Sequence, residues 1–84
     1  MNIDKIYITS HAIEKFKMRA QLNKVNDFDA KNKILSLLSI AKKEKKISSA
    51  IQIMNNNYID AEYYSHGKFI FVIIDNRLVT MYRK

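Results

Sequence analysis

The chain contains no cysteine, no proline and a single glycine, Gly67. Without cysteine there are no disulfides and no thiolate metal sites, so the core must hold by packing alone, and nothing points to an oxidising compartment. Without proline, no helix or strand carries a built-in breaker. Long apolar stretches are missing too: the longest, Phe69–Ile74, has the length of a strand, far short of the roughly 18 residues of a membrane span. Behind the opening Met-Asn-Ile-Asp-Lys there is no apolar signal core. A soluble, cytoplasmic protein with no membrane partner is therefore expected. Two histidines and scattered carboxylates match no metal-ligand spacing. There is no glycine-rich phosphate loop, and no Ser-His-Asp or Cys-His arrangement can be read. What remains is acid–base chemistry without metal or cofactor, or no chemistry.

Eighty-four residues, of which 48% are apolar and 27% charged, give a globular composition and room for one domain, residues 1–84. Fifteen Lys and Arg against eight Asp and Glu leave a formal charge of +7. That excess favours polyanionic partners, by raising their local concentration and association rate. It suits RNA, and equally an acidic protein. Abundant Lys, Asn and Ile also fit the coding bias of an AT-rich genome.

Lys5 to Thr9 alternates and is rich in β-branched residues, as a short strand or an extended arm would be. Ser10 is a good N-cap for a helix over about His11 to Leu22. At about 100° per residue, Ala12, Ile13, Phe16 and Ala20 share one side, while His11, Lys15 and Arg19 form a neighbouring stripe about 80° wide. After a polar break, Asp27 or Asp29 can cap a second helix over about Ala30 to Lys45. Ile34, Leu37, Leu38 and Ala41 are its apolar stripe, with Leu35 at the edge. Lys42, Lys43, Lys45 and Lys46 crowd its end, where a solvated last turn complements the helix dipole or contacts an RNA backbone. Within Ser48 to Asn57 an edge strand is possible, followed by an asparagine loop. Tyr58 to Tyr64, Lys68 to Asp75 and Leu78 to Arg83 then read as three strands. The fold class expected is α+β, two N-terminal helices packed on a three- to four-stranded antiparallel β-meander.

A hairpin turn at His66-Gly67 pairs Tyr63 with Ile70, Ala61 with Val72 and Ile59 with Ile74. An even-length second turn, with Asn76 tolerating positive φ, adds Val79 and Met81 to that face, which is expected to meet the helices. The other face carries Asp60, Glu62, Tyr64, Phe69, Phe71, Ile73, Thr80 and Tyr82. Phe71 and Tyr82 are neighbours there, and aromatics on a sheet can stack bases. Such large apolar groups are either covered by another element or bind something.

RNA cleavage needs no metal. The 2′-hydroxyl attacks its own phosphate, a base takes the hydroxyl proton, an acid protonates the leaving 5′-oxygen, and cations stabilise the phosphorane. Histidine titrates near neutrality and arginine forks onto phosphate oxygens. The stripe His11–Lys15–Arg19 carries these residue types on one helix. The plain alternative is a first-turn histidine with two solvated cations.

Residues 9–20, TSHAIEKFKMRA, resemble the opening of an uncharacterised family of small bacterial and phage proteins: a His-Ala pair, a basic residue four positions after the His, and an Arg four further on. FIFVIIDNRLVTMYR resembles that family's final hairpin, which ends in a Val-x-Thr-Val-Tyr-Arg-like strand, here Val79, Thr80, Met81, Tyr82, Arg83. The family is grouped with the barnase, EndoU, colicin and RelE-like ribonuclease toxins, whose architecture is N-terminal helices followed by a four-stranded antiparallel sheet. The resemblance implies His11 as the acid–base group, with Arg19 and Arg83 holding phosphate. It implies that Thr80 or Tyr82 positions substrate or donates a proton. Lys15 stands where an arginine is more usual, which keeps charge and loses bidentate geometry. His66 matches no family position and is expected in the hairpin tip.

Two functions follow as expectations. One is a toxin-like, metal-independent endoribonuclease opposed by an acidic antitoxin or immunity protein. In it His11, Arg19, Tyr82 and Arg83 are catalytic, and Lys15, Phe71 and Thr80 bind RNA. The other is a non-catalytic regulator, phage-borne in one version, that uses the same surface to bind a nucleic acid or a host protein.

Overall fold

A computed structural model describes residues 2–44 and 61–83. After a 3-10 turn at Ile3–Lys5 come β1 (Tyr7–Ile8), α1 (Ser10–Arg19), α2 (Asp27–Ser39), β2 (Lys42–Glu44), β3 (Glu62–His66), β4 (Phe69–Ile74) and β5 (Arg77–Arg83). The strands form one sheet in the order β1-β5-β4-β3-β2. β1 runs parallel to β5, and every other pairing is antiparallel. The architecture is α+β, with helices ahead of a meander as expected. Among the described residues the sheet has five strands, since β1 and β2 extend the β3–β4–β5 meander at its two edges, and parallel β1 makes it mixed.

Helix α1 begins one residue earlier than Ser10 suggests as a cap. Thr9, in extended conformation, accepts the Ala12 N–H at 3.1 Å. The helix ends at Arg19 rather than Leu22 because Gln21 turns left-handed at φ 58°. Leu22 N–H then returns to the Lys17 carbonyl and Gln21 N–H to Met18, a Schellman-type stop with glutamine where glycine is usual. Asn26, not Asp27 or Asp29, caps α2 by accepting the Asp29 N–H. Lys17 on α1 bonds Asp27 at the start of α2 and closes the corner between the helices.

Ala12 and Phe16 from α1 and Ala30, Ile34 and Leu38 from α2 pack on Phe71, Ile73, Leu78 and Met81 of the sheet. The helical faces are therefore those read from periodicity. Helix α2 stops at Ser39, and Lys42 and Lys43 belong to β2, opposite Ser65 and Tyr64, rather than to a last helical turn. Lys45, Lys46, the segment Ser48 to Asn57, and Tyr58, Ile59 and Asp60 lie outside the described residues.

The register of the first hairpin differs from expectation by one step. Gly67 and Lys68 form the turn, with φ +57° at Gly67, so His66 is the last strand residue and pairs with Phe69. Tyr63 then faces Val72, and Tyr64 faces Phe71. Partners thereby shift by two residues, an even step that leaves the same residues sharing each face. What differs from expectation is the face that meets the helices: Tyr64, Phe69, Phe71 and Ile73 turn toward them and are covered. Tyr63, Ile70 and Val72 occupy the opposite face. The second turn has two residues, Asp75 and Asn76, at φ 51° and 59°, the signature of a type I′ hairpin.

Candidate nucleic-acid interface

From Tyr7 to Arg19 the chain runs along β5, and Asn2 fastens the segment before it to the Asn76 turn. Asn2 N–H donates to the Asn76 side chain at 2.7 Å, Tyr7 N–H to Asn76 O at 3.1 Å, and Thr9 N–H to Leu78 O at 3.2 Å. The Thr9 hydroxyl also donates to Leu78 O at 2.9 Å while it caps α1. One side chain thus fixes the helix start against the strand. Ten residues later, Arg19 Nε donates to Met81 O at 3.2 Å, and its guanidinium carbon lies 5.8 Å from the centre of the Tyr82 ring.

This alignment decides where the stripe points. β1 pairs with β5 only at Arg77 and Leu78, and beyond them α1 runs beside the outer edge of β5. Arg19 reaches that edge from the helix layer. Tyr82 pairs with Ile70 and so leaves the strand on the face away from the helices. Arg19 therefore bridges around the edge from one face of the sheet to the other. Arg83, opposite Phe69, projects on the helix side and is exposed. The Phe69 ring lies 6.0 Å from that of Phe16, which places Arg83 at the α1 side of this end of the sheet. Lys15 is half-buried and His11 is exposed.

Of the residues singled out from the sequence, Arg19 and Tyr82 meet at one end of the α1–β5 seam, and Arg83 is the next residue of the strand, on its other face. His11 lies at the other end, beside Thr9 and the Leu78–Val79 segment. Its Cα is about 12 Å from that of Arg19 along the helix axis. Lys15 stands midway. Thr80 pairs with Val72 on the same face as Tyr82 and is half-buried. Phe71 is corrected: it is fully buried under the helices and offers no ring face for base stacking. His66 belongs to β3 rather than to a turn.

Three residues matter more than the sequence suggested. Thr9 ties the stripe to the strand, but Thr9 and Ser10 are equally able caps, so their order alone does not choose between them. Met18 is 55% exposed, about 20° from His11 and about 60° from Lys15 around α1, on the side away from Arg19. It borders the basic stripe with an apolar group. Tyr63 lies on the Tyr82 face. Burial first, and then the charge of Tyr82, push its hydroxyl above the ordinary value of 10.0. On the same face Ser65 donates to Glu44 at 2.5 Å and fastens β2 to β3.

No group of three or more metal-ligating side chains occurs among the described residues, and none of their helices is long and apolar enough to cross a membrane. No family model, no curated protein and no solved structure matches the chain.

Proposed function

We propose that this is an RNA-binding domain of ribonuclease-toxin type, and that the α1–β5 seam is its RNA site. One observation carries the reading: Arg19 from the N-terminal helix is held by its Nε on Met81 O and lies over Tyr82 of the last strand. Two segments 60 residues apart in the chain (their separation is 62 for the Arg19–Met81 bond) thereby form one cationic and aromatic surface. Lys15 and Arg83 extend the positive charge on either side. On the α2 side Lys17 is already matched by Asp27, so the unmatched charge of α1 lies toward β5.

The reaction open to such a surface is cleavage by 2′-hydroxyl attack. His11 exchanges the protons, Arg19 and Arg83 hold phosphate oxygens, and Thr80 or Tyr82 positions the ribose. An acidic antitoxin, immunity or host protein would compete for the same cations. The decisive assay is incubation of mixed RNA with the purified protein in EDTA. Cleavage leaving cyclic phosphate ends, lost in His11→Ala, is expected. Intact RNA at high protein concentration, with wild-type binding retained by His11→Ala, would leave the non-catalytic reading in its place. The spacing of His11 from Arg19 favours that second reading, since the two groups sit about two helical turns apart and suit neighbouring phosphates better than one.

A further inference from the structure

We infer that the RNA this seam takes is single-stranded, with an unstacked base held at the Tyr82–Arg19 pair. The inference rests on the RNA-binding reading above and narrows its substrate class. Three observations carry it.

First, the basic side chains form one row. His11, Lys15 and Arg19 rise about 6 Å apart along one flank of α1, close to the step between successive phosphates of an extended strand. The other flank of α1 is closed off: Lys17 is paired with Asp27, and Asp29 is bonded to Asn26. Glu14, exposed, borders the row on its solvent side. A duplex, by contrast, is read through its A-form shape, with contacts to both strands across the minor groove. A single row flanked by carboxylates serves one backbone.

Second, groups that contact base faces border that row. Met18, 55% exposed, lies along its solvent edge, and the half-buried Tyr82 ring stands at its Arg19 end. Side chains of this kind reach a base only where it is splayed out of its stack. Inside a duplex their surfaces would face sugar and phosphate and gain nothing.

Third, the stacking unit is fixed before any ligand arrives. Arg19 Nε is anchored on Met81 O, and the guanidinium lies over the Tyr82 ring. A cation fixed over an aromatic ring gives a base a positively charged contact whose ordering cost is already met by the fold.

Fluorescence anisotropy with a labelled unstructured RNA, and with the same strand annealed to its complement, tests this at fixed low salt. The single strand is expected to bind at least about tenfold tighter. Tyr82→Leu should lower its affinity by about 5- to 150-fold while leaving the salt dependence unchanged. Lys15→Gln should instead reduce the slope of log affinity against log salt by about one. Equal affinity for strand and duplex overturns the inference, as does a folded Tyr82→Leu that binds normally; either result leaves RNA binding standing. Failure to bind either RNA even at low salt overturns the RNA reading itself. Should Tyr82→Leu melt below the assay temperature, the strand–duplex comparison on the wild type decides alone.

Discussion

Removing the Thr9 hydroxyl is the sharpest test of how the seam is built. Thr9→Val keeps the shape of the side chain and its extended backbone (φ −69°, ψ 155°) and deletes only the oxygen. That oxygen does two things at once. It accepts the Ala12 N–H at 3.1 Å and donates to Leu78 O at 2.9 Å. Loss of an N-cap costs about 1 kcal/mol, and loss of a part-buried hydrogen bond about 1 kcal/mol more. The second figure belongs at the lower end, because Leu78 O keeps its bond from the Thr9 N–H at 3.2 Å and is not orphaned. A total of about 1.5–2 kcal/mol corresponds to a fall in melting temperature on the order of 6–16 °C for a domain of this size. Thr9→Ser, which restores the oxygen, should recover most of it. Urea titration with a shared m-value, together with a thermal melt, measures both variants. A Thr9→Val loss below about 0.5 kcal/mol, or a Thr9→Ser as unstable as Thr9→Val, would refute the claim that the hydroxyl joins helix to strand.

Two other perturbations examine the core and an ion pair. Phe71→Ala should cost about 3–5 kcal/mol by emptying a fully buried site under the helices, and the surviving folded fraction should bind RNA unchanged; a mild loss of stability with lost binding would return Phe71 to the surface. Glu62 titrates below its ordinary 4.5, because burial, which raises it, is outweighed by hydrogen bonds and positive charges of which Lys43, at 3.2 Å, supplies part. A depressed carboxyl stabilises the fold above its unfolded pKa, and the contribution is lost as pH falls through the folded value. Glu62→Gln should therefore flatten the acid side of the urea-midpoint profile, by a small amount because the pair is solvent-exposed; an unchanged profile would show that the pair does not form in solution.

The helical half was largely legible in the sequence because its signal is periodic. Ala12 and Phe16, and Ile34 and Leu38, point inward as their spacing requires, and the basic stripe lies beside them. The ends of the helices were less legible. Gln21 adopts the left-handed conformation that glycine usually advertises, so the stop of α1 carries no residue signal. β2 was hidden for a different reason. Lys42, Lys43 and Glu44 have little strand propensity, and their extended form comes from pairing with β3, the Lys43–Glu62 ion pair and the Ser65–Glu44 bond. β4 concealed its facing altogether. Phe-Ile-Phe-Val-Ile-Ile is apolar at every position, and Ile70 and Val72 on one face are as buried as Phe71 and Ile73 on the other. Alternation cannot choose a face in such a run. Either turn, His66-Gly67 or Gly67-Lys68, leaves the same residues sharing a face, so the turn could not choose it; the choice fell to packing against the helices.

The site itself depends on a feature that no residue pattern announces. Between β4 and β5 the register shifts: Val72 pairs with Thr80, but Ile73 pairs with Leu78, which leaves Val79 as an extra residue. On a regular strand Leu78, Thr80 and Tyr82 would share a face. With Leu78 in the core, Tyr82 would then be buried beneath α1 and Met81 turned outward. The bulge reverses this beyond Val79. Leu78 and Met81, three positions apart, both enter the core, and Tyr82 emerges on the far face where Arg19 can reach its ring around the strand edge. The Thr9 hydroxyl sits at that discontinuity, bonding Leu78 O and, more weakly at 3.4 Å, Val79 O. Bulges bend a strand and re-aim its side chains. Here the re-aimed side chain is the aromatic half of the surface, and the residue that starts the helix braces the place where the re-aiming occurs. The packing that buries Met81 and the exposure that makes Tyr82 useful are consequences of the same inserted residue.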